Sequence, residues 1–242
     1  LSCILMPPLK HNSIEVLKLV EIDGEVEASE NKKDNYIEDN FYKVEFIDGK
    51  INILDKLNNR KLEDCLYIEE SGDDGDTYDY SPPEEKYDFR YNLSFDNGNV
   101  EVNNRKLHKD IKICGEFIVP ENLKERELNK RSTSIPYKLI LSLSNKGVIE
   151  CHLELDNNAD DHRMRIVLKT DVFSTESISD TAFGVIKRDN VPEHINDWRE
   201  LGWKEEPSPI YPMLHFAGIE DENSSATLLA KGIKEYEILD NS

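Results

Sequence analysis

Nothing in this chain carries the apolar spacing of a strong amphipathic helix, and that constrains its fold more than any motif does. Short runs instead alternate apolar and polar residues, the period of two that a half-buried strand requires. Tyr42, Val44 and Phe46 alternate with Lys43 and Glu45, and Ile51 and Ile53 follow with Asn52 between them. Leu66 and Ile68 make a short run, and Phe89, Tyr91, Leu93 and Phe95 make the cleanest one. Ile111, Ile113, Phe117 and Val119 suggest another strand. Leu139, Leu141 and Leu143 then lead through Asn145-Lys146-Gly147 into Ile149, Cys151, Leu153 and Leu155, before Met164, Ile166 and Leu168. Asp48-Gly49, Asp55–Arg60 and Asp96–Asn99 have the residue types of tight turns. Residues 120–134, charged and poor in apolar groups, read as a loop or a short surface helix, and 174–181 are small and polar. Residues 196–203 read as one or two helical turns. Alternation confined to one side fits a sheet with one packed face. The fold class is therefore mainly β, a large antiparallel β-sandwich.

The 242 residues suit one large β domain or two small ones, with no internal repeat. Asp and Glu number 50 against 30 Lys and Arg, a formal net charge of −20. Such a surface argues against nucleic acid, which needs basic patches, and favours a neutral or cationic ligand. No apolar run approaches the roughly 20 residues that span a bilayer, so no membrane partner is expected. The start, Leu1 to Pro8, is apolar but has no basic segment before it, and the first Met is Met6. The chain reads as a piece of a longer protein. Cys3, Cys65, Cys114 and Cys151 are far apart, which fits reduced thiols in the cytoplasm better than a disulfide framework or a zinc knuckle.

The stretch Ser71-Gly-Asp-Asp-Gly-Asp-Thr-Tyr-Asp-Tyr-Ser-Pro-Pro83 packs Asp73, Asp74, Asp76 and Asp79 with Tyr78 and Tyr80 between two strands. Glycines permit sharp turns, and the double proline stops either kind of regular structure. Three readings compete. A calcium loop would use the carboxylates, but the ligand spacing departs from the EF-hand pattern. A sugar site would use carboxylates for hydroxyls and tyrosine rings for the sugar face. A plain acidic turn would be held by Asx hydrogen bonds. A second polar cluster, Asn157 to Arg163, favours a simple hairpin connection, and Lys187-Arg188 is a small basic spot. The six histidines show no His-x-x-x-His spacing, and no Gly-x-Ser-x-Gly elbow or phosphate-cradling glycine loop is present.

Several of these pieces occur together and in order. They are Phe41-Tyr-Lys-Val-Glu45, Ile53-Leu-Asp-Lys56, Gly72 to Pro83, Leu155-Asp-Asn-Asn-Ala-Asp-Asp-His-Arg163, Ser179 to Ile186, Tyr211-Pro212 and Lys234-Glu-Tyr-Glu237. Over nearly the whole chain they resemble the C-terminal region of bacterial glycoside hydrolase family 38 enzymes, the α-mannosidases and mannosylglycerate hydrolases. The resemblance implies a supersandwich like that of galactose mutarotase, with residues 1–30 a connector and 31–242 a β domain truncated at its C-terminus. It implies an upstream catalytic domain as partner, where zinc is held and an aspartate attacks the anomeric carbon with retention. Nothing here matches those motifs, so the chain alone is expected to be inactive, with no catalytic residue, metal or cofactor of its own. The resemblance also implies that loops of this region wall a mannoside-binding cleft. Asp76, Tyr78, Asp79 and Tyr80 are the first candidates to reach the sugar, and Arg188 is the second. A stand-alone carbohydrate-binding module and a mutarotase-like enzyme are the rival readings. The parent's oligomeric state, a homo-oligomer included, stays open.

Overall fold

The structure, a computed structural model, describes residues 35–76, 80–96, 98–104 and 109–239. The expected connector at 1–30 lies outside them. The chain forms β1 (Tyr36–Glu38), β2 (Tyr42–Ile47), β3 (Lys50–Asp55), β4 (Arg60–Leu62), β5 (Leu66–Gly72) and β6 (Tyr91–Leu93). Then come β7 (Asn99–Asn104), β8 (Lys109–Val119), a single turn of helix α1 (Leu123–Glu127), β9 (Thr133–Leu143), β10 (Ile149–Leu155) and β11 (His162–Leu168). The last part holds β12 (Glu176–Thr181), β13 (Gly184–Asp189), β14 (Tyr211–Pro212), β15 (Phe216–Glu220), β16 (Ser225–Leu229) and β17 (Glu235–Tyr236). The sheets run β1-β2-β3-β4, β10-β9-β8-β7, β11-β5-β6, β13-β12-β15-β16 and β14-β17. Every ladder is antiparallel, as the alternation requires. No described helix is long and apolar enough to cross a membrane.

One buried cluster joins the first three sheets. Ile37, Val44 and Ile51 meet Leu66, Ile68 and Leu93, and both meet the inward row of the β8–β9 hairpin. That hairpin pairs Ile111 with Leu141, Ile113 with Leu139 and Phe117 with Ile135. Its one break in size is Gly115, opposite Tyr137. The Tyr137 ring stacks on Phe117 at 4.4 Å and meets Phe95 edge-on at 5.3 Å. A Cβ on Gly115 would lie 2.6 Å from the Tyr137 oxygen, so the glycine is what lets the ring lie flat over the sheet. The hydroxyl donates to the Phe95 carbonyl at 3.3 Å, and burial pushes its pKa up to about 12.

The alternation located these strands but misjudged several lengths. Phe89–Phe95 pairs only over Tyr91–Leu93. The Phe89 N–H donates to the Tyr87 carbonyl, and the Phe89 carbonyl accepts from Arg126, so neither is free for a ladder. β7, with only Val100 and Val102 among polar residues, escaped the pattern. So did β12, because Ser177 and Ser179 are buried polar residues. Residues 196–203 hold turns, with Trp198 N–H donating to His194 and Leu201 N–H to Asp197, but no regular helix.

The largest departure concerns α1, a short helix at the surface with Lys124 and Glu127 exposed, which nevertheless buries Glu125 and Arg126. Arg126 is 1% exposed and Glu70, on β5, is fully buried. Arg126 forms an ion pair with Glu70, and its other amine donates to the Phe89 carbonyl at 2.6 Å. His162 Nδ1 meets the same Glu70 oxygen at 3.0 Å, and its Nε2 meets Asn157 Oδ1 at 2.9 Å. Gly72 makes room: a Cβ there would lie 2.7 Å from Arg126 Cδ and 2.6 Å from Pro83 Cγ. Asn122 caps α1 by accepting from the Glu125 N–H at 3.2 Å. The Glu125 carboxylate in turn accepts from Lys130, from Ser132 at 2.6 Å and from the Glu121 N–H at 3.1 Å. Those bonds, Lys130 first, hold its pKa down at about 2.

Three outcomes are expected. Gly115→Val drives a side chain into the Tyr137 ring and costs about 1–3 kcal/mol or more, read as a lower urea midpoint. Arg126→Ala leaves Glu70 buried without its cation and costs about 3–5 kcal/mol, read in the same way. Glu125 titrates lower in the folded state than its ordinary 4.5. Its contribution is therefore complete above that pH and disappears as the pH falls toward about 2. Glu125→Gln should flatten the pH dependence of the thermal midpoint across that window and leave its acid limit unchanged.

Candidate functional site

β11 is written His-Arg-Met-Arg, and alternation sends its side chains to opposite faces. His162 and Met164 turn to the main core. Arg163 and Arg165 turn to the other face, opposite Ser71 and Glu69 of β5. This explains why β5 is buried on both sides: its second face is covered by a layer of charge. Arg165 is paired with carboxylates there. Its Nε donates to Glu69 at 3.1 Å, and its two amines pair with Glu69 and with Glu237, just past β17.

Arg163 is held differently. Its guanidinium lies 3.7 Å from the centre of the Tyr80 ring, a cation–π contact. Its Nε and the Tyr80 hydroxyl oxygen are both buried without a hydrogen-bond partner among the described residues. Burial, and then the neighbouring charge of Arg165, lowers the Arg163 pKa.

The loop that delivers Tyr80 is pinned at its base. The Asp73 N–H donates to the Asp161 carbonyl at 2.9 Å, and the Asp74 N–H to the Ser81 carbonyl at 2.8 Å. Asp73 Oδ1 accepts from the Gly75 N–H at 3.0 Å and the Ser81 N–H at 3.1 Å. Asp73 thus staples the loop as an Asx turn would, which favours that reading over calcium. Asp76 is exposed in the same loop. Tyr78 and Asp79 lie outside the described residues.

Arg188 occupies a second arginine–tyrosine nest. It sits on β13 opposite Ser177. Its Nη1 donates to Ser179 Oγ at 2.6 Å, and its guanidinium lies 5.4 Å from the Tyr211 ring centre. Tyr211 pairs with Tyr236 across β14 and β17, with ring centres 6.0 Å apart. The Tyr236 hydroxyl and Ser177 Oγ share a hydrogen bond of 3.0 Å. The nests are connected: Tyr80–Arg163 neighbours Arg165, which holds Glu237, and the adjacent Tyr236 touches the Arg188 nest. Tyr80 and Arg188, named from the sequence, are thus related through the neighbouring strand positions Arg163 and Arg165 and the adjacent residues Tyr236 and Glu237.

Arg163, Tyr211, Tyr236 and Glu237 stood in the ordered motifs but were not named as site residues, Asn157–Arg163 being taken for a hairpin connection, and Arg165 was not singled out. The usable signal was the His-x-x-Arg phase of β11, which places His162 and Arg165 on opposite faces. Among the described residues, no three or more His, Cys, Asp or Glu side chains gather as metal ligands. They do not provide a set for the zinc that the resemblance implies. The carboxylate–imidazole pair that a mutarotase-like enzyme needs does exist as Glu70 and His162. It is buried in the core, with the second ring nitrogen occupied by Asn157, so it presents no open group to a sugar.

Residues 37–242 match the family described as Glycosyl hydrolases family 38 C-terminal domain. A protein of Halalkalibacterium halodurans, described as "Putative mannosylglycerate hydrolase", is 24% identical over 213 residues, which is 80% of this chain and 22% of that protein. An alpha-mannosidase from Enterococcus faecalis V583 superimposes with a TM-score of 0.68 at 22% identity, covering 86% of this chain and 25% of its own. A glycosyl hydrolase family 38 protein from Enterococcus faecalis gives 0.65 at 21% identity, with the same coverage. The chain thus spans about a quarter or less of the length of these relatives. At such identities the two structures speak for the fold, whereas the family match extends over most of the sequence: the chain belongs to the glycosyl hydrolase family 38 C-terminal domains.

Proposed function

We propose that this chain serves as the C-terminal β region of a mannoside-hydrolysing enzyme and helps wall the substrate cleft without breaking the bond itself. The observation that carries the reading is the linked pair of arginine–tyrosine nests. An arginine fork offers several donors in a fixed plane, and a tyrosine offers a ring face and a hydroxyl, the groups that bind a polyhydroxylated ring. The names of the relatives supply the substrate class, a mannoside. Hydrolysis with retention needs a nucleophile and an acid–base carboxyl, and zinc is implied as well. In this reading all three reside in a catalytic domain of the same longer polypeptide, on which this region packs. What the described residues contribute is orientation: Arg188 is fixed by Ser179 and Tyr211, and Arg163 by Tyr80. Each then meets the sugar at little further cost in side-chain entropy.

The test uses a longer polypeptide in which this region follows a family 38 catalytic domain, assayed on an α-mannoside and on mannosylglycerate. Arg188→Gln is expected to lower kcat/KM about tenfold or more, the scale of one hydrogen bond to a charged group, in protein that is still fully folded at the assay temperature. Deleting the whole region is expected to abolish activity. Full activity of the catalytic domain without this region would end the proposal.

A further inference from the structure

We infer that the open face of the sheet β13-β12-β15-β16, led by Phe183 at the tip of the β12–β13 hairpin, is the seat of this region on the catalytic domain of the same longer polypeptide. The inference deepens the reading above and rests on it. It starts from an unequal division of apolar side chains. The buried cluster that joins the first three sheets takes nothing from β12 to β17. Among the described residues, the four strands of the later sheet bury only Ala217 and Ile219 as apolar groups. Yet Phe183 is fully exposed, Leu229 is 69% exposed and Val185 is 65% exposed. Large apolar groups gathered on one exposed surface mark a place of contact.

The ladder registers bring these side chains together. Thr181 pairs with Gly184, which leaves Ala182 and Phe183 as a two-residue tip, and Thr181 Oγ1 donates to the Gly184 carbonyl at 3.1 Å. Tight turns favour glycine, asparagine and aspartate, so nothing in the turn itself calls for a phenylalanine. Asp180 pairs with Val185, Ser179 with Ala217, and Phe216 with Leu229. Val185, Asp180, Phe216 and Leu229 therefore form one row across all four strands, on the face opposite to Ser179 and Ala217. The carboxylate in that row is already satisfied. Asp180 Oδ1 accepts from the N–H groups of Leu214 at 3.1 Å, His215 at 2.8 Å and Phe216 at 3.0 Å, and Oδ2 meets His215 Nδ1 at 2.7 Å. β13 sends Val185 to this face and Arg188 to the other, so seating the row also fixes the strand that presents Arg188.

Size and charge identify the occupant. The chain spans about a quarter or less of the length of its relatives, and the reading above places the catalytic domain in the remainder. A second copy of this chain is a poor fit, since each copy carries a net charge of −20. The same face continues from the apolar row into a hollow where Glu176, Glu220, Asp221 and Glu222 surround Lys187. An apolar patch with a basic margin on the catalytic domain matches both parts.

The experiment labels side chains with hydroxyl radicals in this chain and in the longer polypeptide. Phe183 and Leu229 are expected to label at least about fivefold more slowly in the longer polypeptide, because the middle of a packed seat excludes water. Mixed with a separately made catalytic domain, the chain is expected to bind it, and Phe183→Asp combined with Leu229→Thr should weaken that binding at least about tenfold. The same double variant should lower the thermal midpoint of the isolated chain by no more than about 2 °C, since both side chains are exposed there. Association should slow several-fold between low salt and about 1 M. Equal labelling of Phe183 and Leu229 in both proteins, no binding, undiminished binding by the double variant, an association rate that salt leaves unchanged, or a dimer of the isolated chain that the double variant dissolves overturns the proposal. An active longer polypeptide whose row still labels freely removes this seat and leaves the cleft-wall reading standing, which falls only when the region proves dispensable for activity.

Discussion

The ion pair between Glu70 and Arg126 is the contact on which the rest of this structure depends. Both side chains are excluded from water, and neither tolerates that alone. Glu70 sits on β5 in the middle of its sheet, Arg126 on the single turn α1, and His162 at the start of β11. One carboxylate oxygen therefore ties together three segments far apart in sequence, with Glu70 and His162 92 positions apart. The demands on the surroundings are steric as well as electrical. Gly72 must lack a side chain so that the arginine stem and Pro83 can pass, and α1 must be capped at Asn122 to aim Arg126 inward.

The second consequence is a strand with two chemically distinct sides. β11 gives His162 to the buried ion pair and Arg163 and Arg165 to the opposite face. Because successive side chains alternate, fixing one face fixes the other. The core contact that orients His162 thus also presents Arg163 to Tyr80 and Arg165 to Glu69 and Glu237. The acidic loop is held to the same frame by the Asp73 N–H on the Asp161 carbonyl. Fold and candidate site are coupled through one strand, and a register slip in β11 would dismantle both.

Of the four aspartates that draw the eye in the acidic loop, Asp73 has a visible task, and it is structural. Among the described residues, Arg163 Nε and the Tyr80 oxygen are buried without a hydrogen-bond partner, as are other atoms such as Arg126 Nε and Glu70 Oε2 in the core. In so acidic a protein the scarce resource is positive charge, and where it lacks a hydrogen-bonded counter-charge is more telling than where negative charge accumulates.

The sequence alone determined the class of fold. Period-two alternation in β2, β3, β8, β9, β10 and β11, with turns at Asp48-Gly49 and Asn145–Gly147, is a local property, because strand faces and left-handed turns are set within a few residues. The ordered motifs also sufficed to point to the family. What local patterning missed were the strands with few apolar residues, β7 and β12, and the shortening of β6, since their limits depend on partners elsewhere in the chain. The site was legible only in part. Tyr80 and Arg188 stood out as residue types in a suggestive place, but their companions did not. Whether Arg126 is a solvated surface charge or a buried ion pair, and whether Arg163 ends a hairpin or stacks on Tyr80, is decided by which distant segment lies against it. Burial and charge pairing are properties of the assembled sheets, and only the tertiary structure brings the partners within reach.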